Sequence, residues 1–210
     1  MLEYRIQHAV NSTKEKNPAL FLIHGYGSHA DDLFSFAPYL PKNHTIIALQ
    51  APLALGPNSY AWYHLQMDPS GGVSSELEDA WAAVHLIVET LEELTRLHHL
   101  DTEDISLLGF SQGAILSWAI AFQYPHKIRR IIALSGLLHE SVNTNEAPTF
   151  LAYASHGIYD QVIPISQPRN TILPLSKKYK TLSYHEFEDG HTVSQDNFKQ
   201  FVAWIEKTNL

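Results

Sequence analysis

The pentapeptide Gly109-Phe110-Ser111-Gln112-Gly113 has residue types and spacing that could carry a nucleophile. A serine hydroxyl attacks a carbonyl only when a base takes its proton, and it must project from a sharp turn to reach its target. Glycines two before and two after Ser111 leave room for that turn. With 10 glycines and 17 serines in the chain, chance gives roughly 0.04 matches to this G-x-S-x-G pattern. The apolar run Ile105–Leu108 precedes the motif and an apolar helical stretch follows it. The turn therefore joins a strand to a helix, and the N–H of Gln112 at the helix start can face a developing oxyanion.

A base and an orienting acid are then required. In the chain order nucleophile, acid, base, Asp160 lies in the turn after the run Thr149–Ala154, and His191 lies in the loop after Thr181–Phe187. Asp189 and Glu140 are rivals for the acid. Asp189 stands only two residues before His191, so its side chain is expected to point elsewhere; Glu140 follows the strand after the nucleophile's helix. Of 13 histidines, His98 and His99 read as a helix end, and His156 and His185 read as structural. His191 is preferred for its place in the chain. The stretch Leu22-Ile23-His24-Gly25-Tyr26-Gly27-Ser28 supplies a glycine-bracketed turn whose Tyr26 N–H would be a second oxyanion donor beside Gln112. His24 itself reads as a loop-packing residue.

The elements that must position these groups follow from apolar patterning. Strands are expected at Leu20–Ile23, Thr45–Leu49, Ile105–Phe110, Ile128–Leu134, Thr149–Ala154 and Thr181–Phe187, several apolar nearly throughout, as in sheets covered on both faces. Helices are expected near Asp31–Tyr39, from Glu76 to His98 with a Ser75–Glu78 capping box, over Gln112–Gln123, and near Ser166–Lys178 and Ser194–Lys207. The segment Asn11–Pro18 reads as a loop between two strands. The alternation predicts an α/β architecture with a mostly parallel sheet between helix layers, its reactive groups at the carboxyl ends of the strands. About 25 residues separate Leu49 from the helix at Glu76, too few for a lid domain.

A chain of 210 residues with 45% hydrophobic residues fits one domain, 1–210. A net charge of −8 argues against a nucleic-acid partner and against anionic lipid. Without cysteine there are no disulfides, thiolate metal sites or cysteine nucleophile. No H-x-x-x-H pair with acidic support suggests a metal. Neither a signal-like opening in Met1–Ile6 nor an apolar run of membrane-spanning length is seen, so a soluble, cytoplasmic protein is expected.

Four motifs together, His24-Gly25-Tyr26-Gly27, Gly109-Phe110-Ser111-Gln112-Gly113-Ala114, Asp160-x-Val162-Ile163-Pro164 and Gly190-His191, resemble the phospholipase/carboxylesterase family. That family includes acyl-protein thioesterases and small bacterial carboxylesterases. The resemblance runs from about Leu20 to Phe201. It implies an α/β-hydrolase fold and a lidless serine hydrolase of short- to medium-chain acyl esters or thioesters, without cofactor and often dimeric. Under it, Trp62, Tyr63, Leu65, Leu137 and Ile163, with Tyr26, would line an apolar acyl pocket. One departure stands out: where the family commonly carries tryptophan, an aromatic residue and Asp, this chain reads Trp62-Tyr63-His64. It bears on acyl or head-group preference and leaves the triad untouched. A ligand-binding protein on a hydrolase fold, a lysophospholipase or acyl-protein thioesterase, and a peptidase or C–C hydrolase are the competing readings.

Overall fold

Ala19-Leu20-Phe21-Leu22-Ile23 is buried at every position, and its side chains alternate between two separate cores. Leu20 and Leu22 enter one, Phe21 and Ile23 the other, which is the two-residue period of a strand covered on both faces. The computed structural model describes residues 1–10, 15–67 and 73–209. Its strands in chain order are β1 (Tyr4–Gln7), β2 (Ala19–Ile23), β3 (Thr45–Leu49), β4 (Leu53–Gly56), β5 (Ser59–Ala61), β6 (Gln66–Met67), β7 (Val73–Ser74), β8 (Ile105–Phe110), β9 (Arg130–Leu134), β10 (Leu151–Gly157) and β11 (Leu182–Phe187). The helices are α1 (Ala30–Phe34), α2 (Leu77–Leu97), α3 (Gln112–Gln123), α4 (Ser166–Lys178) and α5 (Gln195–Lys207).

Seven strands form one sheet in the order β1-β3-β2-β8-β9-β10-β11. All neighbours are parallel except β1, which pairs antiparallel with β3 at one edge. The larger core packs α2, α3 and Ile172 of α4 on one face of the sheet, and the smaller packs α1 and α5 on the other. Helix α2 buries Val84, Ile87, Val88, Leu91 and Leu94 along one side. Helix α3 is apolar almost all round and buries nine of its residues, so it is an internal helix. The stretch between β3 and α2 makes two small hairpins, β4–β5 and β6–β7, with no lid domain among the described residues. No helix among them is long and apolar enough to cross a membrane.

Several details depart from the sequence reading, among them β9, which starts at Arg130 rather than Ile128, and β10, which runs Leu151–Gly157 rather than Thr149–Ala154. The expected helix over Asp31–Tyr39 is broken into α1 and a 3-10 turn at Ala37–Tyr39, because Pro38 has no N–H to continue the ladder. The Ser75–Glu78 capping box does not form; Glu76 is the N-cap of α2 and makes no side-chain cap bond. The edge strand β1 is missing from the expected strands, although Leu2-Glu3-Tyr4-Arg5-Ile6-Gln7 alternates apolar and polar residues and turns Leu2, Tyr4 and Ile6 to the core. Of the predicted loop Asn11–Pro18, residues 11–14 lie outside the described residues.

Candidate active site

Ser111 caps the amino end of α3 directly after β8 with φ 54° and ψ −115°. A non-glycine residue in that region carries about 1–3 kcal/mol of strain. The neighbours hold it there. A Cβ on Gly109 would lie 2.3 Å from the Gly113 carbonyl oxygen, and one on Gly113 would lie 1.9 Å from that of Ile23. The turn can therefore close only with glycine at both positions. The Ser111 N–H donates to the Leu134 carbonyl at 2.9 Å, anchoring the turn to the end of β9.

The loop after β11 brings His191 to this serine. His191 Nε2 lies 2.9 Å from Ser111 Oγ, and Nδ1 lies 2.7 Å from Asp160 Oδ2. With Nδ1–H donating to the carboxylate, Nε2 presents its lone pair to the hydroxyl. The Phe110 ring packs against the imidazole with centroids 5.0 Å apart. Asp160 is buried in the turn after β10, and its other oxygen accepts from the Val162 and Ile163 N–H groups at 2.8 and 2.9 Å. Asp189 and Glu140 make no such contact; Glu140 is exposed.

Sequence reasoning missed a second imidazole on the same acid. His156, fully buried, lies with Nε2 3.2 Å from Asp160 Oδ2 and 2.8 Å from the Ile163 carbonyl. Burial lowers its pKa, which the nearby Asp160 charge only partly offsets. The neutral ring then donates from Nε2. The signal was present as a histidine four residues before the acid, near the end of β10 ahead of the turn that Pro164 closes.

Tyr26 lies in a turn closed by the Ser28 N–H on the Gly25 carbonyl at 3.3 Å, with Gly27 at φ 78°, the type II geometry. Gly25 stands against the serine: a Cβ built on it would lie 3.2 Å from Ser111 Cβ. Among the described residues neither the Tyr26 nor the Gln112 N–H donates to another group. Of the residues expected to line an acyl pocket, Trp62, Tyr63 and Ile163 are buried at 3%, 4% and 9% exposure, while Leu65 and Leu137 are half-buried. Burial pushes the Tyr63 hydroxyl pKa up to about 12. Tyr63 borders a hollow of about 60 Å³ lined also by Leu77, Trp81, Ile115 and Val142. Ile115 lies one helical turn beyond Ser111. No cluster of three or more metal-ligating side chains occurs among the described residues.

Comparison with known proteins decides the family. The phospholipase/carboxylesterase family model matches residues 5–209. The chain belongs to that family. As a phospholipase/carboxylesterase family member it is a serine hydrolase with the α/β-hydrolase fold. It is similar to an acyl-protein thioesterase 1 of Kluyveromyces lactis, 25% identical over 95% of this chain and 97% of the relative. The crystal structure of esterase PE8 superposes with a TM-score of 0.86 at 25% identity, covering 99% of both chains. A Bacillus cereus carboxylesterase shares the fold at a TM-score of 0.83 and 16% identity, over 99% of this chain and 94% of that one.

Proposed function

We propose that this protein is a single-domain serine carboxylesterase that hydrolyses short- to medium-chain acyl esters or thioesters through an acyl-enzyme on Ser111. The observation that carries the reading is the unbroken chain from Ser111 Oγ through His191 to Asp160, with contacts of 2.9 and 2.7 Å. His191 Nε2 takes the hydroxyl proton as Oγ bonds to the acyl carbon, and the carbonyl oxygen becomes an oxyanion. Asp160 holds the imidazole tautomer and stabilises the imidazolium. The two unengaged N–H groups, of Tyr26 and Gln112, receive the oxyanion; one such donor is worth about 3–4 kcal/mol. Collapse of the intermediate breaks the bond to the alcohol or thiol, which leaves with the proton from His191. Water, deprotonated by the same histidine, then releases the acid and restores Ser111.

Thioesters stand beside oxygen esters because a relative along 95% of the chain is named an acyl-protein thioesterase. The deciding experiment is hydrolysis of p-nitrophenyl acetate through decanoate, and of the matching acyl thioesters, by wild type and Ser111→Ala. Wild-type turnover that the variant loses supports the reading and ranks chain lengths. No turnover by folded wild type, or equal turnover by both, overturns it in favour of a ligand-binding role.

A further inference from the structure

Trp62 stands between the two segments that carry the unengaged N–H groups and is bonded to both. Its backbone N–H donates to Gln112 Oε1 at 3.0 Å, and its indole Nε1–H donates to the His24 carbonyl at 2.8 Å. The Gln112 carboxamide returns a bond from Nε2 to the Tyr63 carbonyl at 2.9 Å. Gln112 is 3% exposed and His24 1%, so water cannot substitute for these contacts.

His24 carries the connection onward. The Ala51 N–H points at its Nε2 from 3.1 Å, which makes Nε2 the acceptor and leaves the proton on Nδ1. Nδ1–H then donates to the Gly25 carbonyl at 2.8 Å. No peptide bond is cis among the described residues, and in a trans peptide the N–H points opposite to the C=O. Holding the Gly25 carbonyl on His24 therefore fixes the direction of the Tyr26 N–H. The Gln112 end is fixed at the same time, because its side chain is clamped to the Trp62–Tyr63 backbone.

We propose that Trp62 is a positioning residue for the oxyanion hole, a strut whose indole N–H and backbone N–H set the separation of the Tyr26 and Gln112 donors. This rests on the oxyanion role given to those donors above. The strut acts where the oxyanion forms, so its loss weakens the transition state and leaves ground-state binding in place.

Trp62→Phe keeps a ring and the backbone bond but removes the indole donor. The isosteric replacement of Trp62 by β-(3-benzothienyl)alanine removes only the N–H. Both variants are expected to lower kcat about 10- to 100-fold with KM within twofold, the size of effect a misplaced catalytic group has. A trifluoromethyl ketone matched to the best acyl chain, which adds Ser111 Oγ and places an oxyanion between the donors, should lose affinity in the same ratio as kcat/KM. The secondary alcohol obtained by reducing that ketone, which has no carbonyl for Ser111 to attack, should bind as before. Unchanged kcat in the benzothienyl variant overturns the proposal, even if Trp62→Phe fails to fold. A loss in KM alone, with ketone affinity unchanged, overturns it as well. Failure of the esterase reading itself looks different, because then wild type would show no Ser111-dependent turnover.

Discussion

The two ends of the central sheet each hold a buried hydrogen-bonded cluster, and the two are built on different principles. At the amino ends of the strands Arg130, with no exposed surface, uses all five N–H groups inside the protein. Nε donates to Ser106 Oγ at 2.6 Å, Nη1 to the Ile205 carbonyl and Thr208 Oγ1 at 3.4 and 3.1 Å, and Nη2 to Asp104 and His44 at 2.6 and 3.1 Å. That cation sits at the carboxyl end of α5, where the helix dipole favours it. At the carboxyl ends of the strands the cluster is incomplete by design of the turn: Ser111 is strained, and the Tyr26 and Gln112 N–H groups have no partner among the described residues. A saturated network holds the fold together. An unsaturated one on a strained residue leaves donors free, which under the proposed function are those that meet the transition state.

Replacing Ser111 gives the largest expected separation of the two ends. Ser111→Gly should lower kcat by about a million-fold, as loss of a triad nucleophile does. The same change relieves the φ of 54° and should raise stability by about 1 kcal/mol. Chemical denaturation beside ester turnover checks both. A destabilised Ser111→Gly would mean that the turn is not strained. Asp160→Asn comes next, with kcat lower by about 10,000-fold, because an amide facing Nδ1 favours the wrong imidazole tautomer. A drop below tenfold would remove Asp160 from the relay.

Arg130→Met inverts the pattern. Asp104, 1% exposed, would lose its 2.6 Å bond to the guanidinium and keep Arg129 Nε at 3.4 Å, which costs about 3 kcal/mol of stability. Turnover per folded molecule should stay within twofold at temperatures where the variant is folded. If kcat falls with stability, the two ends are coupled and the contrast fails. Asp104→Leu added to Arg130→Met should recover part of the loss, since an apolar pair replaces a buried carboxylate that has lost its shortest contact.

Much of this was legible in the residues, and the boundary has a physical cause. The helix Gln112–Gln123 and the strand Thr45–Leu49 could be bounded to the residue, because apolar runs end at polar or turn-forming neighbours. Ser111, Asp160 and His191 were legible because each follows a strand and precedes a helix. The side-chain pairings were not. Trp62 and Gln112 are 50 residues apart, and nothing local in Ala61-Trp62-Tyr63-His64 distinguishes a strut from a pocket wall. His156 read as structural because a histidine in a strand usually is, and its contact with Asp160 exists only once the turn to Pro164 closes.

Acid should loosen the carboxyl end. Burial lowers the pKa of both His24 and His156, so each stays neutral in the folded protein at pH values where it is charged when unfolded. Above about pH 6.5, the ordinary histidine value, both states are neutral and stability is at its full level. As the pH falls below that value the unfolded chain takes up protons that the folded chain refuses. Each histidine then removes up to about 1.4 kcal/mol per pH unit, until its own folded pKa is reached. Burial shifts His98 and His185 the same way, and the lowered pKa of Glu186 titrates only at more acid pH. Arg130 stays charged throughout. Urea midpoints should therefore fall between pH 7.5 and 5.5, and His156→Gln should flatten the slope whatever it costs at neutral pH. Hydrogen exchange over the same range should accelerate at 24–27 and 157–163. A midpoint independent of pH would show that the histidines at the carboxyl end do not govern its stability.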